Sequence, residues 1–420
     1  MHSPHLLVAA AAVLLGTTPG WSQAGSPTPA PSSSPRPAVT RSTPPPSNPA
    51  WKPAGNGTSL LGPSLSTVSS SAAGVARILN PSVSYNLQYG DGLTSQVGSD
   101  VKSTVHTLSP RVVANFAERI TVSYSPSFTW YSNSALDRHT NHIATASIAG
   151  MIDEVSVNGG LNYSSSEDPL VETGRQTKQE SWGASASAGF PMTDRTTLDA
   201  NVSQQTRLTD TFADVRTYSG GLYARYAYTP QLDLSLGGSI SHNEVDPGAD
   251  LLSRQITGRA GWRPGPRLNV DLEVGLDISK MDDSNRGNES NPVYGLNLSY
   301  QLFEPTRLSI GGRRSIGASY FADQFSKNTG WNVSVSQRLL THFSLSAGYD
   351  YSTNDYVSKD TGGTAVGRSD TYKSFYAQLG TSFLQHWSAA ITYRHGSNDS
   401  NVRLFARDTT VYGLSVSWSL

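Results

Sequence analysis

The sequence predicts an all-β chain: a transmembrane, antiparallel, up-and-down β-barrel of about eighteen strands, with sixteen as the nearest other count. Three observations lead there. From residue 79 to the end, one segment after another alternates apolar with small polar side chains, the period-two mark of a strand with two unlike faces. The connections between segments alternate between tight and long, which is the rhythm of a barrel with short periplasmic turns and longer extracellular loops. The composition points the same way. Of 420 residues, 36% are hydrophobic and 15% charged, with 38 Gly and 24 Pro. Ordinary soluble domains run at roughly 45–50% apolar and about 25% charged.

Residues 1–24 read as a targeting segment. The apolar stretch 6–15 is shorter than the roughly 20 residues a membrane-spanning helix needs and suits a signal-peptide core. Ser22 and Ala24 supply the small residues of a cleavage site, although the leading segment carries only His2 and His5 where Lys or Arg is usual. Residues 25–78 are first Pro/Ser/Thr-rich, then Gly/Ser-rich. Proline at that density blocks helices and ladders, so an extended periplasmic linker without regular structure is expected. It is open to a periplasmic partner.

Residues 79–420 form the predicted barrel. Ile120, Val122, Tyr124, Phe128 and Trp130 alternate with Thr121, Ser123, Ser125, Ser127 and Thr129, and Leu268 through Ile278 and Tyr412 through Leu420 repeat the pattern. Tight connections fall at 117–119, 152–154, 191–194, 229–231, 264–266, 303–306, 340–342 and 384–386. Longer polar stretches lie near 91–100, 132–139, 164–177, 208–215, 243–251, 280–291, 321–328, 352–369 and 396–404. A hairpin around 117–119 sets Ala114 against Val122 and Val112 against Tyr124. A hairpin centred on 264–266 sets Trp262 against Leu268, Ala260 against Val270 and Arg259 against Asp271. Like pairs with like in both, as cross-strand pairing requires.

The apolar set is rich in aromatics near segment ends, among them Phe116, Trp130, Trp262, Phe303, Phe383, Trp387 and Trp418. That fits two interfacial girdles on a lipid-facing surface. The polar face then lines the lumen. Its charged members are Arg111, Arg225, Arg259, Arg263, Arg313, Arg338 and Arg394, with Asp199, Asp233, Asp271, Glu273, Asp277 and Asp350. Charges of both signs in a bore either set up a field that selects solutes or neutralise one another and brace the wall.

Other chemistry is thin. A net charge of −1 and the absence of Cys give no basic surface for nucleic acid and remove disulfides, thiolate nucleophiles and Cys-ligated metals. The histidines lack metal-ligand spacing, glycine-rich phosphate loops are missing, and no cofactor is expected. Acidic loop residues Asp246, Asp250, Asp282, Asp283 and Glu289 suggest calcium or lipopolysaccharide bridging but lack the spacing of a calcium loop. His395 and Ser397 look like the His-x-Ser-Asn element of outer-membrane lipid hydrolases, with serine as nucleophile and histidine as base. No supporting motif accompanies them, and a non-enzyme is expected.

The barrel region resembles bacterial outer-membrane proteins of the β-barrel porin type. The likeness is strongest in the closing hairpin, from Tyr393 and Arg394 to Ser400 and Asn401, then Asp408 and Gly413-Leu414-Ser415-Val416-Ser417-Trp418. It implies outer-membrane lipid around the barrel, recognition of the C-terminal strand by the barrel-assembly machinery, and in some members a link to surface-polysaccharide export. Such barrels usually end on an aromatic residue; here Leu420 is last, with Trp418 two residues before it. The expected function is a porin-like channel for small polar solutes, with polysaccharide export as the alternative and lipid hydrolysis as a minor one.

Overall fold

Period-two alternation becomes strands, and the strands close on themselves. The computed structural model describes residues 79–96, 99–116, 119–170, 172–282, 287–340, 342–358 and 367–420. Residues 1–78, where a targeting segment and a linker are expected, lie outside the described residues.

The strands are β1 (Leu79–Gln96), β2 (Ser99–Phe116), β3 (Ile120–Tyr131), β4 (His139–Ile152), β5 (Val155–Ser166), β6 (Pro169–Leu170), β7 (Arg175–Gln176), β8 (Gln179–Pro191), β9 (Thr196–Thr209) and β10 (Asp214–Thr229). They continue as β11 (Leu232–Asp246), β12 (Leu251–Gly265), β13 (Leu268–Met281), β14 (Glu289–Phe303), β15 (Thr306–Ala318), β16 (Gln324–Leu339), β17 (Phe343–Ser358), β18 (Ser369–Phe383), β19 (Trp387–Ser400) and β20 (Arg407–Ser419). Eighteen of them form one antiparallel sheet, while β6 and β7 make a separate two-stranded ribbon. β20 pairs with β1, with Ser419 opposite Ser82. The sheet is therefore a closed barrel with no free edge, the condition for spanning lipid with strands. That closing pair also sets both ends of the barrel beside the short turns.

Exposed apolar side chains define the outer face. Leu222, Leu236, Ile256, Leu276 and Ile391 are each more than half exposed. Exposed aromatics sit next to the short turns, including Phe116, Trp262, Phe303, Phe383 and Trp387, with Trp130, Trp182, Tyr218 and Trp331 toward the other end. The expected register at 117–119 is present: Ala114 pairs with Val122 and Val112 with Tyr124. At 264–266 the register differs. Trp262 pairs with Val270, Ala260 with Leu272 and Arg259 with Glu273. A bulge between Trp262 and Gly265 moves the turn to Pro266 and Arg267, so the pairing slips by two residues. A slip of two preserves the faces, whereas a slip of one would have inverted them.

The long connections are shorter than the sequence suggests. β1 and β2 occupy most of 91–100, β16 begins at Gln324, and β19 runs to Ser400. Strands continue past the apolar band and then fold inward. The top of the β15–β16 hairpin leans across the mouth: Ala318 packs with Ala213, Val215 and Val245, and Phe325 packs with Ala249, Leu251 and Met281. Those partners belong to β10–β13 and their loops, several strands away around the ring.

Candidate functional site

The mouth is a layer of loops locked together by one buried carboxylate and a set of arginine–aromatic contacts. Glu172 lies in the loop between β5 and β8, beside the β6–β7 ribbon. It is 3% exposed. The Ser319 hydroxyl donates to Glu172 Oε1 at 2.6 Å and the Tyr320 N–H donates to the same oxygen at 2.9 Å. Residues 319 and 320 belong to the β15–β16 loop, nearly half the ring away from β5 and β8. This bond therefore crosses the bore. Burial pushes the Glu172 carboxyl above the usual carboxylate range, against the opposing pull of its two hydrogen bonds and of Arg207 and Arg368.

Other loops join the same layer. The Arg207 guanidinium sits 3.9 Å over the Tyr320 ring and donates to the Ser319 carbonyl at 3.0 Å. The Tyr320 hydroxyl donates to Gln179, and its carbonyl accepts the Ala213 N–H. The Ala249 N–H donates to the Asp323 carboxylate at 3.0 Å. Asp323 has φ 58°, a left-handed turn conformation that Asp tolerates better than most residues. Arg368 lies 3.5 Å over Phe405 and 4.6 Å over Tyr356, and pairs with Asp370 at 2.5 Å. Phe321 meets Phe212 and Phe405 edge-on. Desolvated cation–π contacts of this kind are worth about 2 kcal/mol each.

Below the mouth lies the inner wall. All the charged residues named from the sequence occupy the register face opposite the exposed apolar set. Arg225 pairs with Asp199 at 3.0 Å, and Arg263 with Asp233 at 3.2 Å and Asp271 at 3.5 Å. Arg259 pairs with Glu273 at 3.0 Å, not with Asp271 as the expected hairpin register implied, a direct result of the two-residue slip. Its guanidinium also stacks 3.8 Å over Tyr223. That ring lies flat over Gly237, where a Cβ would come within 2.4 Å of it, so the wall needs glycine there.

Arg394 donates to Ser374 and lies 3.8 Å from Asp350. Arg111 stands opposite Ser82, Arg313 opposite Gly295, and Arg338 opposite Ser344 beside the short turns. Asp277 differs from the others. It is 0% exposed and accepts bonds from Ser253 and Gln255, so it is sealed within the wall under the mouth layer and does not face water.

The ion pairs cluster on β9–β13. The lumen face of β2–β5 instead carries hydroxyls and amides, with Ser123 bonded to Thr145 and Thr121 to Asn115. The ion-paired part of the wall is thus separated around the ring from a stretch of mainly hydroxyls and amides, on which Arg111 also stands.

His395 and Ser397 lie on the outer face. The His395 ring bonds Thr410 at 3.0 Å across the strand, and Ser397 stands opposite Asp408. Among the described residues no group of His, Asp and Glu is arranged to hold a metal ion. Of the acidic loop residues, Asp250 takes the Val245 N–H and Glu289 pairs with Lys327, while Asp283 lies outside the described residues. The sequence reading missed Glu172, Arg207, Arg368, Tyr320 and the aromatic contacts of the mouth. The one available signal was the presence of Phe212, Tyr320, Phe321 and Phe405 in otherwise polar loops.

No family model matches the chain, and no curated protein matches it. Solved structures similar to it include the outer-membrane protein OpdK of Pseudomonas aeruginosa, at 12% identity over 81% of this chain and 98% of that one, with a TM-score of 0.43. OccK3 (OpdO) of the same organism matches at 15% identity over 81% and 95% of the two chains, TM-score 0.43. OprD of the same organism matches at 11% identity over 81% and 95%, TM-score 0.43.

Proposed function

We propose that the chain is a porin-like outer-membrane channel for small polar solutes, narrowed at its outer mouth. One observation carries this reading: the barrel is closed, with an exposed apolar band outside and charged and hydroxyl side chains within. Such a cylinder places oily groups against acyl chains and leaves a hydrophilic path through them. The charged residues from Arg111 to Arg394 and from Asp199 to Asp350, apart from the sealed Asp277, are proposed as the selecting wall. Arg225–Asp199, Arg259–Glu273 and Arg263–Asp233 set a field across the bore from one part of its wall, which orients dipolar solutes and favours small ones.

Residues 1–24 and 25–78 are proposed as an export signal and a periplasmic linker, and the C-terminal strand as the segment the assembly machinery reads. The crossing of the mouth by Glu172, Ser319 and Tyr320 works against free passage of a polymer, which weakens the export alternative. Planar-bilayer recording of the purified barrel tests the reading. Steady ohmic conductance with dependence on salt and on small charged solutes is expected. A barrel that stays silent until residues 319–323 are removed would replace it with the export reading. Lipid hydrolysis lost in Ser397→Ala would replace it with the enzymatic one.

A further inference from the structure

We infer that the outer face of β12 and β13 carries a binding site for a phosphorylated glycolipid of the outer leaflet, built from Arg254 and Lys280. The inference rests on the barrel lying in the outer membrane with its longer loops outside.

Both side chains are exposed and share the outward register with Ile256 and Ile278. Arg254 pairs with Ile278, and Lys280 is the next outward residue on β13, so the two cations are diagonal neighbours. Diagonal neighbours of this kind lie about 7–8 Å apart at their Cα atoms, close enough to share one phosphate through long side chains.

Their height matches a headgroup. Trp262 marks the lower aromatic belt on the same face of β12 as Arg254. At roughly 3.3 Å per residue and a tilt of about 40°, Arg254 stands on the order of 20 Å above Trp262 and Lys280 on the order of 25 Å above Val270, the residue paired with Trp262. An outer-membrane apolar band is about 25 Å tall. Tyr218 and His242, beside them on the same face, belong to the upper edge of that band.

Their electrostatic state differs from that of two other outward cations on this rim, which have carboxylate partners: Lys102 pairs with Asp91 at 2.9 Å and Lys373 with Asp399 at 2.8 Å. Neither Arg254 nor Lys280 makes an ion pair with any described residue. Above them, Asp250 faces His242 at 3.8 Å and the Asp282 N–H bonds the Asp250 carbonyl. Two unpaired cations, Arg254 level with Ile240 and Ile278 and Lys280 one outward step higher, stand over Ile256 and Leu276, all four apolar residues exposed, and match a ligand with phosphate over acyl chains. That is the chemistry of a lipid A headgroup.

The test uses the full barrel in detergent, incubated with bis-phosphorylated lipid A, with the same lipid after phosphatase treatment, and with inorganic phosphate. Retention is read by native mass spectrometry. Wild type should keep phosphorylated lipid A, and Arg254→Ala/Lys280→Ala should bind it about thirtyfold more weakly, given the roughly tenfold-per-1.4-kcal/mol scale and about 1 kcal/mol per surface cation near an anionic headgroup. Arg254→Lys should largely restore binding when paired with native Lys280, which shows that charge and not folding was lost. Heat-modified electrophoretic mobility of each variant confirms a closed barrel. Equal retention of the dephosphorylated lipid, equal retention by the double alanine variant, or comparable binding of inorganic phosphate alone each overturns the site. Conductance is read on the same samples. A conducting barrel indifferent to the phosphates sinks this site and leaves the channel. A silent barrel that still discriminates them does the reverse.

Discussion

The wall and the mouth of this barrel bury opposite things. In the wall, the large apolar side chains are the exposed ones: Leu236 is 67% exposed and Ile256 65%. In the mouth, Leu251 at 2%, Phe325 at 4% and Tyr320 at 2% are closed in like the core of a soluble protein. One chain thus follows two solvation rules in succession along single strands: β12 carries Leu251 in a dry cluster and Ile256 on the lipid face. Side-chain burial in this molecule therefore reports which solvent surrounds each height of the strand. It does not by itself mark a protein core.

Substitutions that respect one rule and violate the other sharpen that contrast. Phe325→Ala should cost the mouth layer about 3–5 kcal/mol, by loss of transfer energy plus a residual cavity. Hydrogen exchange should show the β15–β16 tip losing protection while the amides of the lower wall keep theirs. Leu236→Arg should destabilise the barrel by about 2–4 kcal/mol, measured by urea unfolding from lipid vesicles. Leu236→Ala should cost far less than Leu251→Ala, because acyl chains fill the space at 236 and nothing fills it at 251.

Glu172 gives the next effect. Its folded-state carboxyl is held above its unfolded value by burial. Closure of the mouth is therefore weakened while the group is ionised, and that penalty disappears as pH falls through the raised value. Protease resistance of the loop layer should rise on mild acidification. Glu172→Gln, which keeps an acceptor for Ser319 and Tyr320 without the charge, should flatten the pH profile. The smallest effect is expected at Arg225–Asp199, a pair whose side chains are 43% and 37% exposed. Asp199→Asn should change stability by no more than about 1 kcal/mol but alter the ratio of cation to anion permeability in bilayer recordings.

The wall was largely legible in the sequence, because alternation and face are properties of neighbouring residues. Val112, Ala114, Val122 and Tyr124 find each other across a turn of a few residues, and the expected pairing is the one present. At 264–266, two prolines flank one glycine, and the sequence does not say which residue is the tip. The bulge decided it, shifting Arg259 from Asp271 to Glu273. The mouth was illegible for a different reason. Glu172 and Ser319 are far apart along the chain, and each lies in a stretch that reads as solvated loop. Only closure of the ring puts them opposite one another, and no local pattern records that.

The first barrel strand finds one of its two neighbours only in the last, since β1 joins β20 through Ser82 and Ser419 and the Leu420 N–H reaches the Pro81 carbonyl. The ring cannot be completed before β20 has been made. Every strand from β1 to β20 has to be present, with its oily rows uncovered, before the sheet can zip shut. A chain cut short ahead of β20 would leave an unsealed sheet rather than a slightly smaller pore.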